Sequence, residues 1–442
     1  MFDIKSKETV KKVNNYLASK TALLLDPSSS TRTVIRKLLL AMSIPTANIK
    51  VANNFQESKE VIETAKPQII VAEYHLEKGN GLDLLPLMRS YCPSSLDGTF
   101  ILVSEKNSPT IAALAAEEEV DIFVVKPFTY DSLQDEFMKA LVPKLEASQY
   151  VKVLDNGKKL LKDKKYEEAM KLFDHARTLE QKPVLAFYFS GFVSMLLKKT
   201  DEAKKFYEEG LKIEPAHYRC LIGLYDVYME QKQIEKAYEI AHFASQKYPV
   251  SPKKIPEFVR LTVLNKKYEE LEDFYNLFIN LEDRDQMIIT YVGAGLVVCG
   301  KYLLQQDKRQ KAVEIFSKAA LVVNQFPKIL MEIIQTLITA NLAKEAQQLM
   351  LKIPETVKAS PDFQVLMLKQ ANLSDSAPKM IQSCQELLSK GIKDIAIFEI
   401  MLKRSIELKR ESHVIDQIVF DAIKVYPDKK SHFEELLKVE SA

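Results

Sequence analysis

The sequence predicts a chain in two parts, a doubly wound α/β domain with five parallel strands followed by an all-α superhelical solenoid. Over residues 20–142, short apolar runs alternate with helical patterns, which is typical of a parallel sheet buried on both faces. Beyond residue 143 the strand signals stop. There, small and aromatic residues recur at a fixed spacing of 34 residues, which is typical of a helical repeat array.

Five apolar runs predict the strands of the first part. In chain order they are residues 22–25, 49–52, 68–72, 99–103 and 121–125. The segments between them carry apolar residues at helical spacing, as at 31–42 and 55–65. Five strands alternating with helices predict a flavodoxin-like topology, whose functional site lies at the carboxyl ends of the strands. A short amphipathic helix is expected within residues 1–19, before the first strand.

Four of the predicted strands end in a polar or charged side chain. These residues are Asp26, Glu73, Ser104 and Lys126. Together with the segments 81–85 (GLDLL) and 125–128 (VKPF), they make residues 20–142 resemble the receiver domain of bacterial two-component response regulators. The resemblance implies that the four residues share one pocket, with Glu73 at the phosphoacceptor position. It also implies a switch pair of Ser104 with the aromatic Phe123, and a cis Lys126–Pro127 bond.

Two residues depart from the receiver pattern. Glu73 stands where the family has the phosphorylated Asp, and Pro27 replaces the second acid of the metal pair. Mg²⁺ requires a near-ideal octahedron of oxygen ligands, and Pro27 has no side-chain ligand atom. We therefore expect a pseudo-receiver that holds no metal and is not phosphorylated by the ordinary route. Two interpretations of Glu73 stay open. It either mimics part of a phosphoryl charge or forms a structural ion pair with Lys126.

The second part carries a repeat. Ala169, Phe173 and Ala176 have the spacing Ala-x3-Phe-x2-Ala, and equivalent positions recur at 203, 237, 312 and 346. This pattern resembles the tetratricopeptide repeat (TPR). Residues 253–285 predict a divergent unit, with extra residues in the linking stretch 281–291. The predicted boundaries are 1–19 for the first helix, 20–142 for the pseudo-receiver, 143–359 for about six repeats, and 360–442 for degenerate helices and a cap.

The TPR resemblance implies a concave groove that binds a protein partner. The positions expected to face it are Tyr188, Phe192, Met195, Arg219, Asp226 and Met229. Tyr and Arg are enriched in binding hot spots, and Met suits adaptable surfaces. The alternative is that the chain's own helices fill the groove. The Lys-rich stretch 158–165 and the acidic run 117–119 are both expected to be solvated.

Composition disfavours several classes of protein. Lys plus Arg is 62 and Asp plus Glu is 60, a balance that argues against a nucleic-acid binder. Four cysteines without a CxxC pair fit a reducing cytoplasm. The six histidines lack metal-ligand spacing, and no GxSxG, Walker or GxGxxG motif occurs. No enzyme activity, catalytic residue or cofactor is expected. Apolar runs such as 293–299 are too short to span a bilayer, so no membrane insertion is expected.

These observations predict a non-enzymatic bacterial signalling adaptor in the cytoplasm. Its pseudo-receiver would work without phosphorylation and would supply either a homodimer contact or a docking surface, while the TPR scaffold would bind and modulate a signalling protein. Two alternatives remain. One is a phosphorylation-switched response regulator whose receiver gates the groove. The other is a nucleic-acid-binding regulator, which the balanced charge disfavours.

Overall fold

The computed structural model describes residues 6–281 and 284–440, and the chain divides into two compact units, Met1–Lys254 and Ile255–Ala442. The first unit contains an α/β domain and three helical hairpins, and the second unit is helical throughout its described residues. The predicted fold class is confirmed for both parts of the chain. Of the expected N-terminal helix, residues 1–5 lie outside the described residues, and the helix α1 spans Lys7–Leu17.

The α/β domain contains a five-stranded parallel sheet in the order β2-β1-β3-β4-β5. Its strands are β1 (Ala22–Leu25), β2 (Ile49–Ala52), β3 (Ile69–Glu73), β4 (Thr99–Ser104) and β5 (Ile122–Val125). Every residue of β1, β3 and β4 is buried, which explains why these strands have continuous apolar sequences. Leu25 pairs with Ala72 across β1 and β3, so both strands end at the same edge of the sheet.

Helices cover both faces of the sheet. After α1 they are α2 (Ser29–Ala41), α3 (Phe55–Ala65), α4 (Leu84–Tyr91), α5 (Pro109–Glu117) and α6 (Tyr130–Leu145). One core cluster joins α1, α2 and α6 to the sheet, and a second joins α3, α4 and α5. Side chains cap four of these helices by accepting a backbone N–H: Ser28, Asn54, Ser108 and Thr129.

Three helical hairpins complete the first unit. They are α7 (Gln149–Lys162) with α8 (Tyr166–Leu179), α9 (Val184–Leu196) with α10 (Thr200–Ile213), and α11 (Tyr218–Glu230) with α12 (Ile234–Lys247). Glycines allow the helices of a hairpin to approach closely. A Cβ added at Gly157 would lie 2.3 Å from the Phe173 ring, and one at Gly191 would lie 2.6 Å from the Tyr207 ring. The repeating Ala and Gly positions are therefore packing residues.

The 34-residue period also appears in the backbone. The turn inside each hairpin contains a non-glycine residue with positive φ, at Lys164, Lys198, Lys232 and Lys266 and then at Asp307 and Asn341. Within each group, neighbouring positions are 34 residues apart. The left-handed conformation is unfavourable for a residue with a Cβ. Its recurrence therefore marks the turns as copies of one structural unit.

The second unit consists of twelve described helices, with 282–283 outside the description between the second and third of them. They are α13 (Ile255–Leu264), α14 (Leu271–Ile279), α15 (Gln286–Gln305), α16 (Arg309–Val322), α17 (Pro327–Thr339), α18 (Ala343–Met350), α19 (Glu355–Lys358), α20 (Pro361–Ala371), α21 (Ala377–Ser389), α22 (Ile395–Glu407), α23 (Ser412–Val425) and α24 (Lys430–Glu440). Residues of α20 to α24 share one hydrophobic cluster, so the C-terminal helices have a common core.

Helix α15 differs from what its sequence predicts. It has 20 residues, whereas α9 and α11 have 13 each. Extra residues were expected in the linking stretch 281–291. Residues 286–291 of that stretch instead form the first part of α15. Among the described residues it is also the one helix long and apolar enough to cross a membrane by length and composition, with a mean hydropathy of 1.7. Half of that window is buried inside the protein.

Candidate functional site

The first candidate site lies where β1, β3 and β5 end. Lys126 follows β5, and its Nζ is 2.8 Å from Asp26 Oδ2 and 2.6 Å from Glu73 Oε2. Asp26 and Glu73 are each only 2% exposed, so the pair is shielded from water. The register of the sheet brings these three side chains together, as the sequence predicts from the strand ends. One ammonium group thus joins two buried carboxylates.

Charge in this pocket is only partly compensated. Burial raises the pKa of Glu73, although Lys126 opposes the shift. Burial alone would lower the pKa of Lys126, but its hydrogen bonds to Asp26 and Glu73 outweigh burial and raise it. Two carboxylates facing one ammonium leave a net negative charge. The lysine is therefore held firmly in its protonated form, and it is the main group that stabilises the two acids.

The remaining carboxylate oxygens are also engaged. The backbone N–H of Ser28 donates to Asp26 Oδ1 at 2.8 Å, and that of His75 donates to Glu73 Oε1 at 3.2 Å. The guanidinium of Arg32 donates to the backbone carbonyls of Asp26 and Pro27. The pocket is thus closed by hydrogen bonds from the protein's own chain.

The expected switch pair consists of Ser104, the last residue of β4, and Phe123 in β5. Ser104 is fully buried, and its hydroxyl donates to the Lys106 carbonyl at 3.1 Å while accepting the Lys106 N–H at 3.2 Å. Phe123 is half-buried against the second core cluster. The Lys126–Pro127 bond is cis, as the resemblance implies. Both hydrogen bonds of the Ser104 hydroxyl are thus made to Lys106, in the loop that follows β4.

The pocket residues do not fit Mg²⁺. Asp26 and Glu73 each turn one carboxylate oxygen to the Lys126 ammonium. Pro27 supplies no side-chain ligand. Within residues 6–281 and 284–440, no group of three or more His, Cys, Asp or Glu side chains is arranged to hold a metal ion. No chemical step through a metal follows from this geometry.

The second candidate site is a cavity of about 490 Å³ in the first unit, beside the first helices of its hairpins. Four of the six predicted groove residues line it: Tyr188, Phe192, Arg219 and Asp226. Met195 and Met229 are half-buried and do not line it. Tyr188 lies close to Phe192, with ring centroids 6.2 Å apart, and the Arg219 guanidinium lies 5.6 Å from the Tyr188 ring centre. Burial raises the pKa of Tyr188 to about 12.

The α/β domain reaches into this cavity. The acidic turn, residues 117–119 at the end of α5, lines it. Glu119 pairs with Arg219, and its Oε2 is 2.6 Å from Lys158 Nζ. Glu118 Oε1 is 2.5 Å from Lys253 Nζ. The expectation that the acidic run and Lys158 are simply solvated is therefore wrong, because these charges pair across a distance of 39 to 135 residues in the chain.

The charge on Glu119 is held strongly. Burial would raise the pKa of Glu119, but Lys158 and Arg219 outweigh it and lower the pKa to about 2. A carboxylate whose pKa is lower in the folded protein than in the unfolded chain stabilises the fold at every pH above the unfolded pKa. That contribution is lost as the pH falls towards 2. The contact between the acidic turn and the groove is therefore fully formed at neutral pH.

A third set of contacts fixes α7 to the α/β domain. Asp155 is 2% exposed and accepts hydrogen bonds from Ser94 Oγ at 2.7 Å and from the Ser95 N–H at 2.9 Å. Lys159 lies 3.2 Å from the same carboxylate. Burial would raise the pKa of Asp155, but the bonds from Ser94 and Lys159 lower it. Because the carboxylate is buried and fully engaged, it locks the first hairpin to the domain.

Comparison with known proteins supports no family assignment. No family model matches the sequence, and no curated protein matches it. Solved structures resemble parts of the chain. The signal receiver domain of a Luxo repressor protein from Vibrio parahaemolyticus is 19% identical, covers 28% of this chain and 92% of its own, and has a TM-score of 0.25.

Two further structures resemble other stretches of the chain. A tetratricopeptide repeat protein from Parabacteroides merdae is 14% identical, covers 57% of this chain and 97% of its own, and has a TM-score of 0.31. The protein pilF of Pseudomonas aeruginosa is 16% identical, with 57% and 95% coverage and a TM-score of 0.22. The class that the fold defines is a receiver-type α/β domain followed by a TPR-type helical solenoid.

Proposed function

We propose that the protein is a non-enzymatic signalling adaptor of the bacterial cytoplasm. Its pseudo-receiver works without phosphorylation and holds the first TPR hairpins in a fixed position, and the groove of those hairpins binds a protein partner. The observation that carries the proposal is the position of Lys126. Its ammonium lies between Asp26 and Glu73, at the strand ends where a phosphorylated receiver would bind its metal and phosphoryl group.

The proposal that the pseudo-receiver works without phosphorylation rests on the charges of the side chains in its pocket. A phosphoryl group adds close to two negative charges, and here the pocket already contains two carboxylates for one ammonium. Further negative charge without a metal would be opposed by both acids. Of the two interpretations of Glu73, the ion pair with Lys126 accounts for its contacts directly. A self-association through the last helix and strand of the domain is supported only by the family resemblance.

The adaptor half of the proposal follows from the cavity lining. Phe192 is 38% exposed beside the cations Lys158 and Arg219. Exposed aromatic and Arg side chains at a concave surface are typical of binding hot spots. The cavity contains no residue arrangement that would activate a nucleophile or hold a cofactor among those that line it. Binding is therefore the function that this surface supports best.

The test is affinity purification of the tagged full chain from its native cell, with variants of the groove. We expect Phe192→Ala to lose a partner protein that the unmodified chain retains, by tenfold or more in recovered amount. Phe243→Ala is the matched control, since Phe243 is an equally exposed Phe (37%) on α12 that does not line the cavity. It should retain the partner.

A partner retained equally by both Phe variants would contradict groove binding. Glu73→Gln tests the receiver in the same experiment. Because Gln has the shape of Glu and lacks its charge, a folded Glu73→Gln variant that keeps the partner would support the structural ion pair. Loss of the partner in that variant would instead show that Glu73 maintains an active-like state.

A further inference from the structure

The groove of the first unit already has an acidic occupant. Two cations from different helices, Lys158 on α7 and Arg219 on α11, converge on the single carboxylate of Glu119. A third cation, Lys253, holds Glu118. The turn therefore occupies the groove through charge, at the same surface that carries the exposed aromatic side chains.

The acidic turn does not fill the space beside it. The cavity of about 490 Å³ continues from Glu119 over Tyr188, Phe192 and Tyr218. One oxygen of Glu117, Oε2, is shielded from solvent and has no hydrogen-bond partner among the described residues. The turn thus satisfies the cations but leaves Phe192 exposed. A longer ligand could satisfy both.

The backbone of the turn is also unfavourable. Glu119 has φ +59°, a left-handed conformation that a residue with a Cβ rarely adopts. The carboxylate is held in place by its two cations, and side-chain exposure of 30% leaves the ion pairs accessible to water and salt. The contact rests on ion pairs at the cavity wall, so another carboxylate could compete with Glu119 for the same two cations.

We infer that residues 117–119 are an internal ligand that blocks the TPR groove, and that the partner is an acidic peptide segment with an adjacent apolar side chain, which displaces the Glu119 carboxylate from its two cations. The carboxylates of the partner would take the place of Glu119 on Lys158 and Arg219. Its apolar side chain would cover Tyr188 and Phe192. This inference rests on the proposed function and adds the chemistry and the regulation of its binding site.

The internal ligand has a kinetic and thermodynamic advantage over a free peptide. A tethered group acts at a high effective concentration, so the unmodified chain should bind an external acidic peptide weakly. Removing the charges of the turn should expose the cations without altering them. The affinity for an external acidic peptide would then rise by the factor by which the internal contact had lowered it.

The probe is a fluorescein-labelled peptide with the sequence AALAAEEEVDI, which copies residues 112–122. Its binding to the full chain is measured by fluorescence anisotropy. We expect the Glu118→Gln/Glu119→Gln variant to bind the peptide at least tenfold more tightly than the unmodified chain, which corresponds to about 1.4 kcal/mol. The affinity should fall as salt rises, because the cations are partly exposed.

Three controls separate charge at the groove from other effects. Glu60→Gln/Glu63→Gln removes two exposed charges on α3 that do not line the cavity, and it should leave weak binding unchanged. A peptide with Gln at its three Glu positions should not bind. Adding Arg219→Gln to the Glu118→Gln/Glu119→Gln variant should cancel the gain. Far-UV circular dichroism checks that every variant is folded.

Each contrary outcome overturns a stated part of the inference. Equal affinity in the unmodified chain and the Glu118→Gln/Glu119→Gln variant would show that the turn does not block the groove. Absence of peptide binding to that folded variant would exclude an acidic ligand. Peptide binding that is unchanged by the additional Arg219→Gln substitution would exclude this site. If the peptide fails while Phe192→Ala still loses the cellular partner, the proposed function stands and only this inference falls.

Discussion

Replacing Lys126 with Met is expected to destabilise the α/β domain by about 3–5 kcal/mol at pH 7, the usual cost of removing one member of a buried ion pair. Asp26 and Glu73 are each 2% exposed, and Lys126 is the cation that lies between them. Methionine has a similar length but no charge, so two carboxylates would remain buried against each other. We expect this to be the largest single-residue effect at the pocket.

Hydrogen exchange measured by mass spectrometry on the full chain checks this result, since a two-unit chain need not unfold in one step. Peptides covering β1 and β3 should exchange at least a hundredfold faster in the variant. Lys139→Met is the matched control, because Lys139 pairs with Glu136 on an exposed helix surface, where an ion pair contributes little to stability. Exchange in β1 and β3 that is unchanged by Lys126→Met would contradict the role given to this lysine.

The pH dependence of the same variant has a defined sign. Burial raises the pKa of Glu73 in the folded protein, and removing Lys126 removes a group that opposes the rise. A carboxyl group whose pKa is higher in the folded protein than in the unfolded chain favours folding when it is protonated. Stability is therefore lost as the pH rises from the unfolded-state pKa to the folded-state pKa. The destabilisation caused by Lys126→Met should therefore shrink on lowering the pH from 7 towards 5.

Asp155→Ala is expected to weaken the attachment of the first hairpin to the α/β domain by about 3 kcal/mol. The substitution leaves the Ser94 hydroxyl and the Ser95 N–H without their acceptor, and each unsatisfied buried group costs about 1–3 kcal/mol. Lys159 loses its nearest carboxylate as well. The stability of the sheet itself should change little, because Ser94 and Ser95, the residues that donate to Asp155, lie in the loop before β4.

Exchange of the peptides covering residues 93–97 and α7 measures this change. Both should become faster, while β1 and β3 keep their protection. Asp163→Ala is the control on the same helix, since Asp163 is exposed at the C-terminal cap of α7. Removing an acid there should be neutral or slightly stabilising, because it lies at the negative end of the helix dipole. Equal effects of the two substitutions would show that Asp155 does not join the hairpin to the domain.

Much of the fold could be predicted because its signals are local. Continuous apolar strands specify a sheet buried on both faces, and the parallel register then places Asp26, Glu73 and Lys126 at one edge. The 34-residue spacing specifies helical hairpins because a small residue on one helix makes room for a large side chain on the next, as Gly157 does for Phe173. These patterns recur at fixed intervals, so the sequence itself displays them.

The groove contacts could not be predicted because they are not local. Glu119 and Arg219 are 100 residues apart, and neither a charge run nor a lone Arg indicates its partner. The same holds for Asp155, whose partners Ser94 and Ser95 precede it by about sixty residues. Met195 and Met229 fit the register of the groove, yet they do not line the cavity.

We propose that the ion pairs of Lys126 with Asp26 and Glu73 close the receiver-type pocket to phosphorylation. Intact-mass spectrometry of the full chain after incubation with acetyl phosphate and Mg²⁺ tests it most directly. Pro27→Asp/Glu73→Asp restores the acids that the family pattern requires and serves as the positive control. The account predicts no phosphoryl adduct on the unmodified chain under conditions that label this variant. A phosphoryl adduct on the unmodified chain that Glu73→Gln removes would contradict it.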